Sequence, residues 1–167
     1  MDEKTKNKLL IQKQKRKGKC RAYSGFYTPK FPSKWINIQR NMVIEYRSLW
    51  ERNSFERLEK SPMIAKIGSE TVIVKYICGT DSKPHRYFID LELHLTDNTK
   101  MLIEIKPKYQ TVKPVQTKGK KKTTVIRENL TYIKNQSKWR AAEAYSKAHG
   151  FTFHKWTEDE LKKMGIL

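Results

Sequence analysis

Between Arg86 and Lys106 the chain alternates, and that alternation limits the possible folds more than any other feature. Tyr87, Ile89, Leu91, Leu93 and Leu95 are apolar, with Arg86, Asp90, Glu92 and His94 between them. Thr96-Asp97-Asn98-Thr99 is a turn sequence, and after it Met101, Ile103 and Ile105 interleave with Glu104 and Lys106. A period of two over both segments predicts an antiparallel hairpin. The apolar odd positions of the two strands must share one face, because otherwise one strand buries its charges. That condition places Asp90, Glu92, Glu104 and Lys106 together on the other face. With Leu93 opposite Ile103, Asp90 lies opposite Lys106, and a two-residue slip sets it opposite Glu104. Either register brings carboxylates and an ammonium close together.

The elements around this hairpin follow from the same patterns. Residues 23–35 hold Tyr23, Phe26, Tyr27, Phe31 and Trp35 among Pro29 and Pro32, which predicts an extended strap laying rings on the core. A helix is expected from Glu45 to Lys60, stopped by Pro62, and a strand over 69–77. A long helix over 127–149 ends at Gly150, a strand covers 151–156, and Thr157-Glu158-Asp159-Glu160 opens a last short helix as a capping box. The order helix, three strands with a central hairpin, helix, strand, helix predicts a mixed α/β domain around a small sheet.

Charge points to the partner. The chain has 36 Lys and Arg against 17 Asp and Glu, a formal +19, which favours a polyanion. Residues 1–21 carry seven lysines and two arginines against two acids, and 106–122 carry seven lysines and no acid. Residues 1–20 therefore read as a flexible basic arm, and 107–124, with Pro107, Pro114 and Gly119, as a basic loop within a domain over 21–167. Lysines in such segments neutralise phosphates without reading sequence. No apolar run is long enough to span a membrane. Leu9-Leu10-Ile11 is too short for a secretory segment, so no membrane partner is expected. Cys20 and Cys78 form neither a disulfide framework nor a zinc spacing with the four histidines.

Two close carboxylates repel unless a cation lies between them. A divalent metal removes the repulsion, and oxygen ligands select Mg²⁺ or Mn²⁺. The plainer account is a half-exposed strand whose acids and lysines pair across the ladder. Glu92 reads as such a ladder partner or as a ligand for a second metal. Upstream, Glu51 shares a helical face with Phe55 and Leu58, which turns it toward the core, where Arg47 is a candidate ion-pair partner.

Asp90 followed by Glu104-x-Lys106 resembles the P-D…(D/E)-x-K core of the restriction-endonuclease-like nucleases, with Ile89 in place of the proline. Four segments extend the likeness in order: Tyr23-Ser24-Gly25-Phe26-Tyr27-Thr28-Pro29-Lys30, Tyr46 to Glu51, Arg86-Tyr87-Phe88-Ile89-Asp90, and Ile103-Glu104-Ile105-Lys106-Pro107-Lys108. Together they resemble the head completion nucleases of T-even-type tailed phages, relatives of the TnsA-like endonucleases. The resemblance implies a Mg²⁺-dependent DNA endonuclease, with Mn²⁺ as substitute, acting in phage head completion. Asp90 and Glu104 would hold the metal with the Ile105 carbonyl and Glu51, and Lys106 would orient the attacking water. Double-stranded DNA would be the substrate, contacted by Arg47, Gln136 and Lys138. The lysines of the loop, Lys108, Lys113, Lys118, Lys120, Lys121 and Lys122, would hold DNA across the site. Phage portal or head proteins would be further partners, in the host cytoplasm during infection or in the virion. A non-catalytic DNA- or portal-binding protein and a partner-dependent cutter are the alternatives.

Overall fold

The hairpin forms, but from shorter strands than the alternation suggests. The computed structural model describes residues 23–167, so the arm expected at 1–20 lies outside the described residues. In chain order the elements are β1 (Gly25–Phe26), α1 (Ile36–Gln39), β2 (Glu45–Tyr46), α2 (Leu49–Glu59), β3 (Ile64–Ser69) and β4 (Ile73–Ile77). They continue with β5 (Pro84–Phe88), β6 (Leu91–Leu95), β7 (Lys100–Ile105), α3 (Lys122–His149), β8 (Thr152–Trp156) and α4 (Glu158–Lys163). The main sheet has the order β3-β6-β7-β8, antiparallel except for the parallel β7–β8 pair. β4 and β5 form a separate two-stranded ribbon.

The strand expected to run from Tyr87 to Leu95 breaks at Ile89-Asp90. β5 stays with the ribbon, where the Ile89 N–H donates to the Val72 carbonyl, and β6 joins the main sheet. The alternation therefore changes face at the break. Tyr87 and Ile89 pack in a cluster with Leu102, Val72, Val74 and Ala142, whereas Leu91 and Leu93 pack with Ile103, Ile105 and Phe55. Both faces of the hairpin are covered, so its strands are not half-exposed. The register is the slipped one: Leu91 faces Ile103 and Leu93 faces Met101.

The cluster around Leu91 and Leu93 is closed by the strap. Tyr27, Trp35 and Phe55 meet with ring centroids 5.4–5.5 Å apart, tilted or edge to face. The strap includes a single 3₁₀ turn at Pro32–Lys34 before α1. The expected helix from Glu45 is a short strand followed by α2, because Ser48 caps the helix by accepting from the Glu51 N–H. Of the strand expected over 69–77 only Ile73–Ile77 forms one, β4; Ser69 ends β3, and Glu70 divides the two with a left-handed φ of 53°.

α3 begins at Lys122, five residues earlier than the sequence suggests, and buries one stripe of Asn135, Trp139, Ala142 and Ser146. Ala144 and Ala148, off that stripe, are exposed. Gly150 stops the helix in the left-handed conformation, and the Thr157–Glu160 capping box opens α4 as expected.

Candidate active site

The break before β6 brings the acids together. Asp90 sits where the chain leaves the ribbon and enters the main sheet, at the level of the end of β7. Its carboxylate accepts the Ile105 N–H at 2.8 Å, which fixes Asp90 against the strand carrying Glu104 and Lys106. The Lys106 Nζ lies 2.9 Å from Glu104 Oε1 and 3.8 Å from Asp90 Oδ2. Glu104 is 1% exposed, and its second oxygen accepts from the Tyr87 hydroxyl at 2.6 Å.

These neighbours set the protonation of the group. Burial, and then the facing Glu104, push the Asp90 carboxyl well above the usual carboxylate range, against the pull of Lys106. Burial opposes the charge of Lys106, but Asp90 and Glu104 outweigh it and hold the ammonium above the ordinary lysine value. Lys138 lies over the Tyr87 ring, 5.1 Å from its centroid. Burial lowers its pKa, Glu104 and Asp90 oppose that shift, and Lys106 adds to it.

Glu51 belongs to the same place but is used differently from its expected pairing with Arg47. Its oxygens accept from the Arg47 backbone N–H at 2.8 Å and the Ser48 hydroxyl at 2.9 Å. The Arg47 guanidinium pairs instead with Glu70, at 2.8 Å. Glu51, Arg47, Trp50, Tyr23, Ile105 and Lys106 line one open cleft of about 400 Å³. Glu51 is close enough to push the Asp90 carboxyl further up.

The side-chain donors around Lys106 are all carboxylate oxygens. Half-buried Asp90 and buried Glu104 share the Lys106 ammonium, with Glu51 nearby and Lys138 the next cation, so three acids face two ammonium groups. That excess and the oxygen donors fit a hard divalent cation. Glu92 stays apart. It accepts from the Thr71 hydroxyl at 2.6 Å and lies 2.9 Å from His94 Nε2, so it is a partner within the sheet and ribbon.

The remaining residues fall into three places. Lys108 is tied to α4, its Nζ 2.7 Å from Asp159 and its N–H on Glu158. Lys120 pairs with Glu128, and Gln136 is half-buried on α3, two residues from Lys138. Lys113, Lys118, Lys121 and Lys122 are exposed. The loop folds back along α3, where Tyr109, Val112 and Val115 face Arg127, Thr131 and Tyr132 across a groove of about 470 Å³.

Tyr87 is the site residue that a reading of the alternation misses, because it counts there as an apolar side chain. A buried tyrosine hydroxyl needs a partner, and three residues before an acid is a place to look for one. Tyr87→Phe is expected to cost about 1.5–3 kcal/mol, the worth of a hydrogen bond to a charged group. Urea unfolding in the presence of a chelator measures it.

A central hairpin in a small mixed sheet, with acids and a lysine gathered at the end of one strand, is the layout of a restriction-endonuclease-like domain. The sequence model of the TnsA-like endonuclease N-terminal domain matches residues 61–158. The chain belongs to that family. It is also 38% identical over 148 residues to the head completion nuclease of Enterobacteria phage T4, covering 87% of this chain and 97% of that protein. The matched family segment contains Asp90, Glu104, Lys106 and Lys138, while the strap and Glu51 precede it. No helix among the described residues is long and apolar enough to cross a membrane.

Proposed function

We propose that this chain is a Mg²⁺-dependent deoxyribonuclease that hydrolyses phosphodiester bonds of double-stranded DNA during phage head completion. The observation that carries the reading is the convergence of Asp90 and Glu104 on Lys106 beside an open cleft. The head completion setting rests on the likeness to the phage T4 protein along nearly its whole length. Phage portal or head proteins are the partners this setting suggests, in the host cytoplasm during infection or in the virion.

Asp90, Glu104 and the Ile105 carbonyl would hold Mg²⁺, with Mn²⁺ as substitute. The ion supplies positive charge that polarises the scissile phosphate and makes water a better nucleophile at neutral pH. Glu51 contributes its charge from the helix cap, since both of its oxygens already accept hydrogen bonds. Lys106 orients the attacking water and stabilises charge developing on the phosphate, a role suited to an ammonium that stays protonated. Tyr87 fixes the orientation of Glu104. Arg47 at the cleft wall, and Gln136 and Lys138 on α3, contact the DNA backbone. Mg²⁺-dependent nicking of duplex DNA, compared between the wild type and Asp90→Asn, tests the reading. Equal rates for the two proteins would place the chemistry elsewhere.

The basic loop begins at the cleft and supplies the rest of the grip. Lys108 and Lys120 spend part of their charge on Asp159 and Glu128, so Lys113, Lys118, Lys121 and Lys122 are the freer phosphate contacts. Replacing these four by glutamine is expected to lower the slope of log binding constant against log salt by about 3–4, at roughly 0.9 per phosphate contact. Titration of labelled duplex at several salt concentrations reads the slope, and metal binding is expected to be unchanged. An unaltered slope would make the loop a solvated surface.

A further inference from the structure

The turn joining β4 to β5 gathers three side chains that the proposed reaction does not use. Cys78 follows the last residue of β4, Asp81 lies in the turn, and His85 is the second residue of β5. The thiol, a carboxylate oxygen and a ring nitrogen of these residues all lie within 4.8 Å of one another. No sequence spacing announces the group; the turn creates it. The Cys78 N–H donates to the Lys83 carbonyl at 2.9 Å and the Ser82 N–H to the Cys78 carbonyl at 2.8 Å. The Lys83 N–H donates to the Asp81 carboxylate at 3.1 Å, and Ser82 takes a left-handed φ of 55° to close the loop. The tip is also pinned to α3, where the Gly79 N–H donates to the Ser137 hydroxyl at 3.0 Å.

We propose that Cys78, Asp81 and His85 form a Zn²⁺ site separate from the acids around Lys106. One sulfur, one nitrogen and one oxygen donor make a borderline-soft set that suits Zn²⁺ and does not suit Mg²⁺. Zinc bonds of about 2.0–2.3 Å put ligand atoms of a tetrahedral site roughly 3.3–3.6 Å apart. His85 Nε2 and Asp81 Oδ2 are 2.9 Å apart, so that pair needs to separate by only a few tenths of an ångström, while both must draw in toward the sulfur, which lies within 4.8 Å of each. Both side chains are about 40% exposed and free to do so, while Cys78 is fully buried and fixed.

The charge balances. Cys78 releases its thiol proton to solvent, the thiolate and the Asp81 carboxylate neutralise the ion, and His85 binds as neutral imidazole. The Thr80 hydroxyl lies 3.1 Å from the sulfur and supplies a hydrogen bond to the thiolate. Water takes the fourth position. β5 leads directly into Tyr87 and Asp90, so an ion at the tip clamps the ribbon that presents both residues to the acid cluster.

The test uses the full-length chain with Co²⁺ as the spectroscopic probe for zinc. The expected result is a thiolate-to-cobalt charge-transfer band with visible bands of tetrahedral strength, reversed by Zn²⁺. Oxygen ligands around Lys106 give no such thiolate band, so the signal is specific to the turn. Cys78→Ser is expected to abolish the band, and Cys20→Ser to leave it intact. His85→Ala, a change at a half-buried ring on the ribbon surface beside Tyr76, is expected to weaken Zn²⁺ binding at least about tenfold in competition with a chromophoric chelator. No thiolate band, a band lost with Cys20→Ser but kept in Cys78→Ser, or unchanged affinity in His85→Ala would each overturn the proposal. None of these readouts depends on nuclease activity, so the proposal and the nuclease reading fail separately.

Discussion

Mg²⁺-dependent nicking of duplex DNA is expected to fall about a hundred- to a thousandfold in both Asp90→Asn and Lys106→Ala, the loss seen when one preorganised electrostatic group is removed. The two variants lose activity for different reasons. Asparagine keeps an oxygen for the Ile105 N–H and the volume of aspartate, so Asp90→Asn leaves the fold intact and removes one charge from the acid pair. Its affinity for Mg²⁺ is expected to drop in calorimetric titration. Lys106→Ala keeps both carboxylates and removes the ammonium between them, so its ion affinity is expected to hold or rise.

The lysine variant also has a signature that an uninvolved residue would lack. Without Lys106, Asp90 and Glu104 face each other with only Lys138 beyond as counter-charge, and breaking a buried pair in this way costs about 3–5 kcal/mol. The variant is therefore expected to melt earlier than wild type in chelator, and Mg²⁺ is expected to restore most of the difference. A variant that melts early and is not rescued by the ion would place the metal away from these acids. A wild-type chain inactive on every DNA structure, with either Mg²⁺ or Mn²⁺, would return the protein to a purely DNA- or portal-binding role.

Much of this site was legible because strand parity is a strong constraint. Asp90, Glu104 and Lys106 could be placed together from the spacing of Leu91, Leu93, Ile103 and Ile105 alone. Parity could not choose the register, since a two-residue slip preserves it. The choice belongs to the β4–β5 ribbon, which holds the chain as far as Ile89 and lets β6 start only at Leu91. The same ribbon reverses the faces, so Tyr87 leaves the Leu91 side and reaches Glu104 instead.

β3 was hidden for a related reason. Ile64-Ala65-Lys66-Ile67-Gly68-Ser69 has no clean alternation, and the strand is secured from outside by the Trp35–Ile67 bridge and by Asn37, which exchanges hydrogen bonds with Ser69 at 2.8 Å. The use of Glu51 as a cap was written in Ser48-x-x-Glu51, a spacing that competes with the reading of Glu51 as a core-facing acid.

Glu59→Ala is expected to be strongly destabilising, at about 3–5 kcal/mol of a total stability of about 5–15 kcal/mol. Glu59 is 1% exposed and ends α2, where the helix dipole disfavours a carboxylate. Three donors from the strap account for its presence there: the Tyr27 hydroxyl at 2.6 Å, the Lys30 N–H at 3.1 Å and the Trp35 Nε1–H at 3.2 Å. Alanine would strand all three donors in or beside the core, and each stranded donor costs its own desolvation. Glu59→Gln keeps one acceptor but turns an amide donor toward the others, so a loss of about 1–3 kcal/mol is expected. Urea unfolding should show a lower midpoint with an unchanged slope in both variants. Tyr23, at the start of the strap, lines the Lys106 cleft, so the alanine variant is also expected to bind duplex DNA more weakly than its residual folded fraction explains. A Glu59→Ala protein within 1 kcal/mol of wild type would mean that the packed rings of Tyr27, Trp35 and Phe55 hold the strap without its carboxylate.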